Sequence, residues 1–386
     1  MLDLHGRASR AVPLKLSSLS RLTQLENLQL NSIANEVEGG HLAAALRSLA
    51  QLTQLGVHLL YEDSDPFHWA EDDNRMIFPW TAAVCRLTNL HQLSVTADAR
   101  PELKFESTIF RGLLPAALAK LTALRDITVL GMDTCEVQDD SSQQALQLTA
   151  LPALEFAALQ LHTRSDLFPG LGRQKQVIFS RLVSLSLGLR VGAEAGTYGS
   201  TYLPAIIAPA LAELTLAGMW LAEHGGELVW LPCLPNLRRL VLKDLDTGSR
   251  ELPEGIMACT GLTELVLDSV KVTISLPGSN PPGMEDQREV SNLPVAGPYL
   301  SKLVSLGLPR NGFSKVPPSL AAATALELLD FGDQILYVDE YTGILDGMSV
   351  LDGLPRLRGM NLTGFEASDA RFDKFRAAHP HISLTY

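Results

Sequence analysis

At 386 residues, 46% hydrophobic and 6% aromatic, the chain can bury a large core made mostly of leucine, alanine and valine. Its formal net charge of −12 argues against nucleic acid as a partner, since phosphate binding needs clustered Lys and Arg, and against anionic membrane surfaces. The four cysteines, Cys85, Cys135, Cys233 and Cys259, are scattered with no C-x-x-C pair, so packed, reduced thiols in an intracellular, cytoplasmic setting are expected.

The chain opens on Leu2-Asp-Leu4, which reads as a strand. Residues 1–16 read as the second half of a coil whose first half is missing, and no apolar run of a signal peptide follows Met1. One spacing then recurs, clearest at Leu300-Ser-Lys-Leu303-Val-Ser-Leu306-Gly-Leu308-Pro-Arg-Asn311. Leu306 and Leu308 are two apart, so both point to one face of a short strand. The leucines preceding each strand are Leu25, Leu55, Leu90, Leu124, Leu154, Leu182, Leu211, Leu237, Leu262, Leu303, Leu326 and Leu357, at intervals of 23 to 41 residues. Strands are expected at Leu28–Leu30, Ile127–Val129, Leu214–Leu216, Leu240–Leu242 and Leu265–Leu267. Helical apolar spacing at 41–49, 113–121 and 341–345 predicts helices on the return path.

Three insertions break the rhythm. Residues 61–79 are acidic around Phe67 and Trp69, 188–202 are rich in Gly, Ser and Thr, and 271–299 are rich in Pro and Gly, which suits a long loop. Residues 366–386 close the chain with a helix from Phe372 to His379, stopped by Pro380, and an edge strand at 381–386. The most apolar stretch, 203–222, contains Pro204, Pro209 and Glu213, so no transmembrane helix is expected.

The spacing L-x-x-L-x-x-L-x-L-x-x-N resembles a leucine-rich repeat. The resemblance implies an α/β fold: a single horseshoe solenoid over 1–386 of about twelve coils, with a parallel sheet on the concave face and helices or irregular returns on the convex face. One departure is systematic. Three residues after the second strand leucine the family carries Asn, and here the position holds Ile33, Met132, Met219, Leu245 and Val270, with Asn only at Asn311. The other coils must close their turns with other groups or water.

No catalytic constellation is visible. Gly170-Leu-Gly172 does not extend to a dinucleotide fingerprint, Asp63-Ser-Asp65 lacks the glycine and glutamate of an EF-hand, and His379-Pro-His381 supplies only two metal ligands. The expectation is no enzyme, no cofactor and no metal. Cys233 and Cys259 fall inside the leucine template and are expected to pack.

The resemblance implies a protein-interaction scaffold. Two further roles come from the wider family: the substrate-recognition part of an F-box type ubiquitin ligase, and a cytoskeletal or ciliary axoneme component. Candidate partner-binding residues flank the strand leucines: Gln29, Asn31, Thr96, Asp126, Glu213, Arg239, Lys243, Glu264 and Asp268, joined by Phe67 and Trp69 of the first insertion. The face shows few aromatics and no evident hot spot. The local repeat length places Glu213, Arg239 and Glu264 in one column, and Lys243 and Asp268 in a second, with signs that alternate as cross-strand pairs require. Carboxylates also recur in the loops after the strands: Glu36 and Glu38, 62–73, Asp98, 133–140, Asp244 and Asp246, Asp333, Asp339 and Glu340. Stacked, they form an acidic rim that suits a basic protein partner.

Overall fold

A computed structural model describes residues 2–5, 16–33, 36–59, 81–97, 116–130, 148–162, 176–190, 203, 205–219, 228–245, 247, 252–274, 286–289, 293, 298–313, 315–334, 347–365 and 370–386. The chain forms two compact units, Met1–Tyr198 and Gly199–Tyr386.

In the first unit the strands are β1 (Leu2–His5), β2 (Asn27–Ile33), β3 (Gln54–Leu59), β4 (Gln92–Ala97), β5 (Asp126–Leu130), β6 (Phe156–His162), the two-residue β7 (Val177–Ile178) and β8 (Ser184–Arg190). They pair in parallel in the order β1-β2-β3-β4-β5-β6-β8. Alternation on each strand sends one set of side chains inward. Leu28, Leu55, Leu93, Ile127, Ala157 and Leu185 stand in register, each no more than 3% exposed.

The second unit contains β9 (Ile206–Ile207), β10 (Glu213–Ala217), β11 (Arg239–Lys243), β12 (Glu264–Asp268), β13 (Lys271–Ile274), β14 (Asp286–Glu289), β15 (Ser305–Gly307), β16 (Leu328–Asp330), β17 (Gly359–Asn361) and β18 (Ser383–Thr385). Seven of them form a parallel sheet in the order β10-β11-β12-β15-β16-β17-β18. As expected, Leu214, Leu240, Leu265 and Leu306 are buried in register. Residues 271–299 are not simply a loop, because β13 and β14 pair antiparallel within them.

The return paths differ from expectation. The helix expected at 41–49 forms as α1 (Glu36–Leu46), starting earlier and ending sooner, and buries Leu42, Ala45 and Leu46, with Leu49 just beyond, at helical spacing. Residues 113–121, however, give a 3-10 turn at Ala116–Lys120, and 341–345 lie outside the described residues. Further 3-10 turns cover Leu16–Arg21, Leu148–Ala150, Leu231–Cys233, Pro298–Lys302, Pro318–Ala322 and Met348–Gly353. The cause is the period of L-x-x-L-x-x-L. Buried leucines such as Leu118, Leu121 and Leu124, or Leu231, Leu234 and Leu237, recur every third residue. A 3-10 helix with 3.0 residues per turn keeps them on one side, and an α-helix with 3.6 would not. The remaining helices are α2 (Thr81–Val84), α3 (Glu254–Met257) and α4 (Ala370–Ala378). No described helix is long and apolar enough to cross a membrane.

Coils lacking the ladder asparagine close in a way the sequence did not announce. In the second unit one residue after the strand path is left-handed at β10, β11, β12, β15, β16 and β17: Gly218 (φ 67°), Asp244 (48°), Ser269 (53°), Arg310 (52°), Asp333 (52°) and Gly364 (91°). The first five donate their N–H to the next coil, to the carbonyls of Lys243, Asp268, Pro309, Gly332 and Thr363 respectively. This backbone ladder satisfies the turns and leaves Met219, Leu245 and Val270, one position on, to be buried as core.

Asn311 and Gln334 occupy that same next position in their coils. Asn311, fully buried, donates from Nδ2 to the Leu267 and Pro309 carbonyls at 2.7 and 2.9 Å, and accepts the Val270 N–H at 2.9 Å. It therefore reaches back to the preceding coil. Gln334 donates from Nε2 to the Leu308 carbonyl at 2.6 Å and accepts the Phe313 N–H at 3.1 Å.

Candidate interaction surface

The residues alternating with the buried ones form the outer face of each sheet, and strand register sorts them into columns. In the second unit Glu213, Arg239 and Glu264 stand in one column as expected, continued by Ser305, Leu328 and Gly359. Arg239 donates from Nε to Glu264 Oε1 at 2.9 Å. A second column holds Thr215, Val241, Val266, Gly307, Asp330 and Asn361. Asn361 Nδ2 donates to Asp330 Oδ1 at 2.8 Å.

Lys243 and Asp268 are also in register, but their expected pairing is pre-empted. Both oxygens of Asp268 are taken by Arg310, Nε to Oδ1 and Nη2 to Oδ2, each at 2.8 Å. Arg310 Nη2 lies 3.9 Å from Asp244 as well, and Asp333 adds to the field that raises the guanidinium's affinity for its proton, with the Asp268 hydrogen bonds the leading cause. Arg310 comes from a turn one coil further on, where no strand spacing would have pointed to it. The acidic rim is thus interrupted here by a cation among Asp244, Asp268 and Asp333. Of the other rim positions, Glu36 and Glu38 fall in α1 with side chains outside the described residues, and 62–73, Asp98, 133–140, Asp246, Asp339 and Glu340 lie outside altogether.

In the first unit one column runs Asn27, Gln54, Gln92, Asp126, Phe156 and Ser184, and the next Gln29, Gly56, Ser94, Thr128, Ala158 and Ser186. Gln29 lies across Gly56, where a Cβ would overlap its amide. Thr96 is half-buried, and its hydroxyl meets His58 Nδ1 at 2.8 Å. Asn31 sits in register with His58, its side chain outside the described residues, as are Phe67 and Trp69. Burial raises the Asp126 carboxyl above its ordinary value, opposed by the Thr128 hydroxyl, which donates to it at 3.5 Å.

Two features escaped the sequence reading. The outer face does carry large exposed apolar side chains, Leu130, Phe156 and Leu328, at 40, 43 and 54% exposure. Phe156 stands two residues after the anchor Leu154, a position readable from the repeat. Cys233 is exposed, whereas Cys259 is buried with its Sγ 3.2 Å from the Gly255 carbonyl. Among the described residues no three His, Cys, Asp or Glu side chains converge to hold a metal.

Parallel strands in exact leucine register, returned by period-three turns and braced by Asn311, decide the architecture. Both units have the leucine-rich repeat fold. No family model and no curated protein matches its sequence. Among solved structures, this leucine-rich repeat chain is similar to an internalin of Listeria monocytogenes (15% identity, 95% of this chain and 81% of that one, TM-score 0.43). It is also similar to a leucine-rich repeat protein of Leptospira interrogans (14%, 96% and 97%, TM-score 0.40). A third is the ectodomain of the Arabidopsis thaliana membrane receptor kinase GASSHO1/SCHENGEN3, in complex with CASPARIAN STRIP INTEGRITY FACTOR 2 (16%, 90% and 36%, TM-score 0.42). At these identities and scores the repeat geometry of the chain itself carries the assignment.

Proposed function

We propose that this leucine-rich repeat chain acts by binding a protein partner on the outer faces of its sheets, as a scaffold rather than a catalyst. The observation that carries the reading is the division of labour along every strand. On the described strands apolar residues, mostly leucine, face inward, so the alternate positions are free to vary, and they present columns of polar, charged and a few large apolar side chains on a rigid backbone. Glu213, Arg239, Lys243, Glu264 and Asp268 on one unit, and Gln29, Asn31, Thr96 and Asp126 on the other, belong to this surface, with Phe67 and Trp69 proposed at its margin. Around the second sheet the acids Glu213, Asp244, Glu264, Asp268, Asp330 and Asp333 outnumber the bases Arg239, Lys243 and Arg310, which favours a basic partner. The F-box and axonemal roles rest on family analogy alone.

Photo-crosslinking tests the proposal. A crosslinking amino acid placed at Thr96, Thr215 or Val241 should trap a protein from a native extract, and one at Ser301 or Arg356, exposed away from the strands, should not. Equal trapping at both sets refutes the sheet as the docking surface. Changing Arg239 and Lys243 together to Glu breaks the Arg239–Glu264 pair and should alter capture by far more than it lowers Tm, and unchanged capture removes those two residues from the footprint.

A further inference from the structure

We propose that Asp126 and Phe156 together form a receptor for one cationic side chain, an arginine or lysine, of an extended partner segment lying on the first unit. This rests on the interaction reading above and adds the chemistry of one contact.

The two residues are in register on β5 and β6, on neighbouring strands about 4.8 Å apart. Phe156 is 43% exposed, an apolar ring left in water where the template tolerates any small polar residue. Asp126 is half-buried, and among the described residues its partner is the Thr128 hydroxyl at 3.5 Å. Of the outer-face positions of β2 to β8 with described side chains, Asp126 is the one carboxylate, and none of the others is Lys or Arg. Its neighbours in the column, Gln92 and Phe156, carry no charge. The second unit differs, because there Arg239 meets Glu264 and Arg310 meets Asp268. Desolvation already penalises the Asp126 anion, so a cation brought by a partner would find a carboxylate not yet neutralised by the fold.

Each half alone is unselective. An isolated exposed carboxylate is satisfied by water, and an isolated phenylalanine takes any apolar group. Side by side they select a cation with an apolar or planar body, which can lie over the ring at about 6 Å from its centroid while its N–H groups reach the carboxylate. Arginine fits best, because its planar guanidinium stacks and forks at once. The adjoining column, Thr128, Ala158 and Ser186, is made of small side chains and leaves height for the backbone of the segment. Leu130, 40% exposed on the same face of β5, offers an apolar contact to a residue further along it.

The test uses the full chain and synthetic octapeptides of Ser, Gly and Leu with one central arginine, lysine or citrulline. Citrulline keeps the shape of arginine and removes its charge. Fluorescence polarisation at low salt should rank arginine over lysine over citrulline, with arginine about ten-fold tighter than citrulline. Asp126→Asn should erase that preference without lowering the melting temperature, and Phe156→Ser should weaken the arginine peptide several-fold. Equal binding of arginine and citrulline peptides overturns the receptor, as does an arginine preference that survives Asp126→Asn, which would locate it elsewhere, for instance on the acidic second unit. Binding of no peptide also overturns it. In each case the scaffold reading stands or falls separately, on where the crosslinks form.

Discussion

The guanidinium of Arg310 lies fork to fork on the carboxylate of Asp268, 42 residues earlier, with two bonds of 2.8 Å. Arg310 holds a left-handed conformation, φ 52°, which costs a side-chain-bearing residue roughly 1–2 kcal/mol. Two substitutions separate the pair from the strain. Arg310→Gln removes the bidentate pair, retains the strain and should lower stability by about 1–2 kcal/mol. Arg310→Gly removes both and should cost less in urea unfolding. A larger loss for the glycine variant would contradict the strain assignment.

Asn311 should be the more damaging ladder position. Its removal by Asn311→Ala leaves the Val270 N–H and the Leu267 carbonyl, both bonded to it now, without partners in a buried site. A loss of about 2–4 kcal/mol is expected for two orphaned groups. Hydrogen exchange should accelerate at Val270, whose amide Asn311 holds, and not at Leu240 two coils earlier.

Leu240 is fully buried in the middle of the second sheet, flanked in register by Leu214 and Leu265. Leu240→Ala should cost roughly 2–5 kcal/mol in equilibrium unfolding. A loss below about 1 kcal/mol would mean that the column collapses onto the gap.

Three buried groups contribute stability that falls with rising pH, in two windows. Burial raises Asp126 above 3.8, Cys259 from 9.0 to about 11 and Tyr299 from 10.0 to about 12. In each the folded chain holds a proton that the unfolded chain releases first, so stability declines as pH climbs from the unfolded value toward the folded one. Asp126→Asn should therefore flatten the acid window just above pH 3.8. Cys259→Ala and Tyr299→Phe should each flatten part of the alkaline window between pH 9 and 12, read from thermal melts across pH.

Thiol labelling should split the cysteines. Cys233 is exposed while Cys85 and Cys259 are buried, and burial raises both buried thiols. Since the thiolate is the reacting form, Cys233 should react with a maleimide in native buffer, and Cys85 and Cys259 only on unfolding. Native labelling of Cys259 at a comparable rate would refute its packing.

The sequence by itself determined whatever depends on periodicity. Leucines two apart before a turn dictated strands, their recurrence dictated a parallel stack, and the repeat lengths put Glu213, Arg239 and Glu264 in one column. Period also held the answer to the return path, since L-x-x-L-x-x-L spaces its leucines for a 3-10 turn. Tertiary structure decided what depends on reach between coils of unequal length. The turn after β15 carries Arg310 back to both oxygens of Asp268 ahead of Lys243, a contact between turns that the strand register alone does not announce. Gln334 takes over a ladder bond that the family pattern assigns to asparagine, because one extra methylene lets its amide meet the Phe313 N–H instead. The left-handed column of Gly218, Asp244, Ser269, Arg310, Asp333 and Gly364 has no common residue type to announce it. Its conformation is imposed by the need to hand each N–H to the next coil, and that need exists only once the coils are stacked.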